Sequence, residues 1–357
     1  MTDPRPANQR RRMSGGVALG LLAAATFGAS TPFAKRLLDH VRPEMLAGLL
    51  YLGAFLALMV VRPLRRNRHE APLRRSDAPR LAGLVVTGGV LAPVVMLLGL
   101  DRVSGASGSL LLNLEGPFTL IVAVVIFHEH LDRRALLGAL AVFGGAALLT
   151  TGGANGTDTV AGVLLVALAG LLWAIDNNIT QSLTERDPYS IVSVKTGVAA
   201  VINLGIAMTI GNSELPSVRI LGLTLLLGAV SYGLSVLLDA YALRELGAAR
   251  EATIFATAPF IGLALSMPVL GHRPTVGELA AALVMAAGVT LLVRERHAHV
   301  HVHLPLDHDH RHVHDEHHQH GHAGGTDLSV PHAHVHHHEP LAHAHGHVSD
   351  AHHRHDH

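Results

Sequence analysis

Polar residues interrupt this chain at long, fairly even intervals. Between them run ten stretches that are apolar on every side, at about residues 15–37, 44–62, 81–100, 105–127, 134–151, 159–181, 190–211, 219–242, 249–270 and 276–294. A helix that packs onto a water-soluble core repeats its apolar residues every three to four positions and keeps a polar face. These stretches have no such face. Each approaches the roughly 20 apolar residues with which a helix crosses the hydrocarbon of a bilayer. The pattern therefore predicts an all-α integral membrane protein with ten transmembrane helices. The first stretch, behind Arg10-Arg11-Arg12, has the outline of a secretory leader. It is long enough to span, and its sequence reappears later in the chain, so it is expected to remain in the mature protein.

Composition sharpens this reading. Hydrophobic residues make up 49% of the chain and charged ones 15%. An average soluble domain carries about 25% charged residues. The net charge is zero, so the distribution of charge is what informs. Arg5, Arg10, Arg11 and Arg12 precede the first helix; Arg62, Arg65, Arg66, Arg68, Arg74, Arg75 and Arg80 lie between the second and third; Arg133 and Arg134 follow the fourth. The alternate loops, such as "TTGGANGTDT" at 151–160, are poor in cations. By the positive-inside bias, both termini are expected on the cytoplasmic side of the inner (cytoplasmic) membrane. Lys35, Arg36 and Arg42, around the first external loop, dissent locally. With no cysteine in the chain, disulfides and thiolate metal sites are excluded.

The two halves of the membrane portion echo each other. "GVALGLLAAATFGAS" from Gly16 aligns with "GVLLVALAGLLWAID" from Gly162, pairing Phe27 with Trp173 and Ser30 with Asp176. "GPFTLIVAVVIFHEHL" from Gly116 aligns with "APFIGLALSMPVLGHR" from Ala258, pairing Pro117 with Pro259. Matched pieces lie five helices apart. Because five is odd, the second copy enters the membrane from the opposite side, giving two inverted five-helix repeats of the kind that support alternating access to a central site. The expected organisation is a basic cytoplasmic N-terminus (1–14), a first repeat (15–151), a second repeat (152–294) and a cytoplasmic histidine-rich tail (295–357).

The segments "LLNLEGPFTLIVAVVIFHEHLDRRALLGALAVFGGAALL", "GLLWAIDNNIT" and "ATAPFIGLALSMPVLGHRPTVGELAAALVMAAGVTLL" resemble EamA-like permeases of the drug/metabolite transporter superfamily over about residues 15–294. That resemblance implies ten helices in two inverted repeats and the export of small metabolites, often amino acids or drugs. It implies no covalent chemistry, no enzyme activity and no cofactor for transport. This chain has Glu129 after the fourth helix and His272 at the matching turn after the ninth.

Ionisable side chains within a bilayer cost about 2.5–3.5 kcal/mol on insertion scales and are candidates for function. Glu115 lies deepest. It precedes Gly116-Pro117, and Pro117 removes the hydrogen bond to the carbonyl of Asn113, so Glu115, Asn113 and that carbonyl are expected to converge on a proton, a cation or a substrate amine. Asp176 and Asn177 form a polar band beside Trp173. Ser231, Ser235 and Asp239 recur every four residues, with Tyr232 alongside, either lining a cavity or gluing helices. Lys195 either snorkels to the surface or pairs with Asp176; the pair would suit a zwitterion such as an amino acid. His128-Glu129-His130 lacks the spacing of four that puts two histidines on one helical face, and is a weak metal site.

Beyond Arg296 the apolar pattern stops and no core can form, so the tail is expected to be disordered without a ligand. It is a duplication. Residues 297–322 superimpose on 332–357 at a shift of 35, with 17 of 26 positions identical, including Pro305 with Pro340 and Asp315 with Asp350. Imidazoles are mostly neutral at pH 7 and free to coordinate, and nitrogen ligands favour zinc, nickel, cobalt or copper(II). The candidate ligands are His297, His299, His301, His303, His308, His310, His312, His314, His317, His318, His320 and His322 in the first unit. In the second they are His332, His334, His336, His338, His343, His345, His347, His352, His353, His355 and His357. Aspartates such as Asp309 and Asp315 would complete coordination.

The leading expectation is thus a metabolite exporter with a metal-binding cytoplasmic tail. A divalent-metal exporter fed by the tail, a membrane metal sensor or buffer that transports nothing, and a tail that titrates with pH and docks on anionic lipid are the alternatives. Expected partners are the lipid bilayer, a small-molecule substrate, divalent metal ions and, as an option, a second copy of the chain; nucleic acid is not among them.

Overall fold

The computed structural model describes residues 7–65, 71–127, 133–151, 158–183, 186–209, 214–246, 248–293 and four tail segments, with backbone alone for residues 7–14, 64, 65, 123, 127, 151, 243–245, 248–250, 293 and the tail. Among the described residues, nine helical segments are long and apolar enough to cross a membrane: α1 (Gly15–Leu38), α2 (Pro43–Val61), α3 (Arg75–Leu100), α4 (Gly105–Ile126), α5 (Arg133–Thr150), α6 (Val160–Gln181), α7 (Pro188–Thr209), α8 (Val218–Ala242) and α9 (Glu251–Leu270). A tenth, α10 (Val276–Leu292), is apolar but shorter. The third helix begins six residues before the stretch expected from the apolar pattern, because the turn at Arg75–Asp77 continues directly into it.

Apolar residues occupy both the inside and the outside of the bundle. Met45, Leu50, Leu97, Leu110 and Met285 are buried to within a few per cent, while Val201 is 72% and Leu283 73% exposed. A water-soluble fold would bury the second pair; lipid is the solvent that accepts them.

Helix packing repeats under a shift of five. α3 packs on α6 as α8 packs on α1; α4 packs on α6 as α9 packs on α1; α7 packs on α3 as α2 packs on α8. The contacts α2 with α7, α4 with α9 and α5 with α10 map onto themselves. Such a set is what two inverted halves related by a pseudo-two-fold axis produce. At one of these contacts backbones nearly touch. A Cβ added to Gly53 would lie 2.1 Å from the Leu225 carbonyl oxygen, and one added to Gly228 would lie 2.0 Å from that of Leu50. Only glycine lets α2 and α8 approach this closely.

The four helices matched by this symmetry at the centre are all broken. α4 passes through a 3-10 turn at Leu112–Leu114 just before Pro117, and α9 is interrupted between Phe255 and Ala258, just before Pro259. α3 and α8 each contain a π-helical stretch, Val85–Leu91 and Ala229–Leu234. In α3 the cause is local. Pro93 has no N–H for the Gly89 carbonyl, and the Ala92 N–H bonds back to Thr87, leaving the Gly88 carbonyl free as well. Both are rescued from neighbouring helices: the Tyr51 hydroxyl donates to Gly88 O at 2.6 Å, and Asn203 Nδ2 to Gly89 O at 3.0 Å.

Where the sequence leads one to expect a disordered tail, the backbone instead doubles back. β1 (His297–His303) pairs antiparallel with β4 (Leu341–His347), and β2 (Leu306–His312) with β3 (His332–His338). Alternating histidine and small or β-branched residues suit an extended backbone, and the duplication supplies each strand with a partner of its own pattern. His314, His317, His318, His320, His322, His352, His353, His355 and His357 lie outside the described residues, as do His128, Glu129 and His130.

Candidate functional site

Glu115 is the eleventh residue of α4, halfway along it, at the start of the helical segment that follows the 3-10 turn. Its Oε1 accepts from Asn177 Nδ2 of α6 at 2.6 Å. The convergence expected with Asn113 does not occur. The Asn113 amide donates to Leu110 O (3.0 Å) and lies 4.0 Å from Met285 Sδ, because the 3-10 turn rotates it towards α10. Pro117 does break the helix, and the break presents Glu115 to α6.

One residue before Asn177, Asp176 points towards α3 and α7. Its Oδ2 accepts from Lys195 Nζ, and the carboxyl is 5% exposed. Of the two options for Lys195, the structure takes the ion pair. Asp176 also lies over Gly88 in the π stretch of α3, where an added Cβ would fall 2.3 Å from its Cγ. The second oxygen, Oδ1, is buried without a hydrogen-bond partner. An unpaired carboxylate oxygen beside an ammonium group is an open acceptor.

Aromatic rings line the same interior. Trp173 lies beside the Tyr51 hydroxyl, Tyr51 stands 5.8 Å from Tyr232, Tyr232 6.1 Å from Phe27, and Phe27 5.3 Å from Phe255, measured between ring centroids. Ser30 lies beside the Tyr232 hydroxyl. The string crosses α6, α2, α8, α1 and α9. Contacts equivalent under the repeat thus carry different chemistry: α6 sets Asp176 against a glycine of the α3 π stretch, while α1 sets Ser30 against Tyr232 of the α8 π stretch.

The serines of α8 act as fasteners. Ser231 Oγ donates to Thr26 O (2.7 Å) and Ser235 Oγ to Ala23 O (3.0 Å), both on α1. Asp239, one turn on, instead lies beside Glu251 at the start of α9. Glu251 is a residue that sequence reading missed, because it sits at the end of an apolar stretch beside Arg250. Tyr51 was missed as well; a lone tyrosine in an apolar helix gives no periodic signal.

The two ends of the bundle are tied differently. On the face holding the 62–75 loop, Asp77 pairs with Arg186 at 2.9 Å. On the opposite face, Asp158 accepts from Ser104 N (2.6 Å) and from Ser107 Oγ, while Glu278 accepts from Ser104 Oγ (3.1 Å), Thr275 N (2.8 Å) and His272 Nε2 (2.9 Å). Three loops are thereby joined at Ser104. Lys35 also belongs here: its Nζ donates to Leu100 O (2.7 Å) and Asp101 O (3.0 Å). Its ammonium thereby caps the C-terminal carbonyls of α3. Among the described residues no group of three or more histidine, aspartate or glutamate side chains is placed to hold a metal ion.

Inverted halves, broken helices and a polar centre sealed from lipid define a polytopic membrane carrier of small solutes. The chain belongs to the EamA-like transporter family, whose profile matches residues 14–151 and again 160–294. It is 28% identical over 306 residues to an uncharacterized transporter of Methanothermobacter thermautotrophicus, covering 81% of this chain and 89% of that one. It is 25% identical over 289 residues to a "probable amino-acid metabolite efflux pump" of Salmonella typhimurium, covering 77% and 93%. A solved crystal structure superposes with a TM-score of 0.60 at 16% identity, covering 78% of this chain and 98% of its own, which bears on the fold alone.

Proposed function

We propose that this transporter exports a small zwitterionic metabolite of the amino-acid class by alternating access, binding it among Glu115, Asn177, Asp176 and Lys195. One observation carries the reading: a buried Asp176–Lys195 pair with one carboxylate oxygen left without a hydrogen-bond partner, one residue along α6 from the Asn177 that holds Glu115. A substrate amine meets Glu115 or Asp176 Oδ1, and a substrate carboxylate competes for the Lys195 ammonium. The aromatic string from Trp173 to Phe255 supplies the apolar wall for a side chain. The name of the Salmonella relative favours the same substrate class. The arginine-rich 62–75 loop supports a cytoplasmic-membrane orientation with that face, and both termini, inside.

The tail is read as a metal-binding appendage of this carrier. Its support is the strand register, which sets histidine opposite histidine six times: His297 with His347, His299 with His345, His301 with His343, His308 with His336, His310 with His334 and His312 with His332. Both readings are tested by reconstituting the full chain and a variant ending at Arg296. Radiolabelled leucine should show counterflow in both, and zinc or nickel should bind the full chain only. If truncation abolishes export of metal while leucine never moves, metal is the cargo and the metabolite reading is wrong.

A further inference from the structure

The duplicated tail units, 297–322 and 332–357, each contribute two strands: β1 and β2 come from the first copy, β3 and β4 from the second. Among the described residues, neither sheet pairs two strands of the same copy. β1 pairs with β4 and β2 with β3, so the first strand of each copy takes the second strand of the other. The sequence accounts for this exchange. Within a copy the strands are joined by Leu304-Pro305 or by Glu339-Pro340, two residues being the length of a tight hairpin loop. Such loops need positive φ at both residues or at the first. Proline is held near −65°, and a leucine or glutamate at positive φ is disfavoured. Neither dipeptide suits a turn that would fold a copy onto itself.

Register then decides which residues are brought together. Alternate residues of a strand share a face, so the three histidine pairs of the first ladder, from His297 opposite His347 to His301 opposite His343, lie on one face. The other face carries small and β-branched residues, such as Val300 opposite Ala344. In the second ladder His308, His310 and His312 stand opposite His336, His334 and His332, again on one face. Directly opposite residues of an antiparallel ladder are about 5 Å apart, and same-face neighbours along a strand about 7 Å. Two adjoining pairs therefore gather four histidine positions into one small patch, the number of nitrogen ligands that closes a zinc site. One copy alone supplies a single edge of that patch.

Resting on the metal-binding reading of the tail, we propose that each ladder is a site for one divalent transition-metal ion, zinc being the type, built from histidine positions of both copies. The duplication is then what creates the sites. A two-stranded ribbon is marginal in water by itself, so the ion supplies the stability and the tail closes upon it. Binding needs neutral imidazoles, and it weakens as the pH falls through about 6.5.

Zinc bound to the full chain in detergent is to be compared across three sets of substitutions. The first carries His297→Gln, His299→Gln and His301→Gln; the second His343→Gln, His345→Gln and His347→Gln; the third all six. Each triple set should remove one zinc, and the six together should remove no more than either. Additive losses would mean that each copy binds by itself, which overturns the proposal. Hydrogen exchange followed by mass spectrometry gives a second measure. Zinc should slow exchange at 297–303 in the unaltered chain, and the second set should abolish that slowing although β1 itself is intact. Slowing that persists overturns the proposal, as does a zinc-driven doubling of particle mass, which would place the partner strand in a second chain. If the full chain holds no more zinc than the variant ending at Arg296, the metal-binding reading of the tail falls and this inference falls with it.

Discussion

Replacing Gly88 by alanine tests the geometry of the substrate residues directly. The added methyl would sit 2.3 Å from Asp176 Cγ and 2.5 Å from each of its oxygens. Non-bonded heavy atoms rest at about 3.5–4.0 Å, so α3 and α6 must part, or the carboxylate must swing aside, by roughly 1 Å or more. Overpacking of this kind costs about 1–3 kcal/mol, and a shift of about 1 Å in a positioned group is worth on the order of 100-fold in rate. Asp176 cannot move that far and keep its contact with Lys195. The expected result is a leucine flux reduced by about 10- to 100-fold and a lower thermal midpoint in detergent. Gly144→Ala is the matched control, since nothing lies within 4 Å of its added methyl. Should Gly88→Ala transport and melt like that control, Asp176 does not rest on Gly88, and the placement of the ion pair over the π stretch is wrong.

Lys195→Ala leaves the Asp176 carboxylate, 5% exposed, without its partner. Unfolding in detergent should show a loss of about 3–5 kcal/mol. Adding Asp176→Asn should restore part of that loss, and strictly additive effects would refute a direct pair. Tyr51→Phe and Asn203→Leu each strand one carbonyl of the α3 π stretch, at a cost of about 1–3 kcal/mol apiece. Hydrogen exchange around Gly88 and Gly89 should quicken in both variants, and unchanged exchange would show that other donors serve those carbonyls.

The membrane fold was legible because lipid imposes a crude rule: about 20 apolar residues with no polar face, repeated. The inverted arrangement followed from counting helices between echoes such as Phe27 with Trp173. Pro117 announced one of the four helix breaks. The π stretches were not legible: Pro93 marks one only in hindsight, and the stretch in α8 contains no proline at all. Asp176 and Lys195 stood out as charges in apolar helices, but which way Lys195 would turn depended on how closely α6 and α7 approach, which no local pattern encodes. Asn113 misled for a related reason. Proximity along the chain to Glu115 suggested a shared site, whereas the tight 3-10 turn between them aims the two side chains at different helices. Glu251 was hidden by its position at the rim of an apolar stretch, where a carboxylate ordinarily meets water.

The shift-of-five packing has a consequence for how the carrier rests. Were both halves chemically alike, turning the molecule over would yield the same object, and neither mouth would be preferred. Preference therefore resides in the positions where the copies disagree, foremost Asp176 upon Gly88 against Ser30 upon Tyr232. Making those two places resemble each other should leave a protein that idles with no favoured side, much as a balance does once its pans carry equal weights.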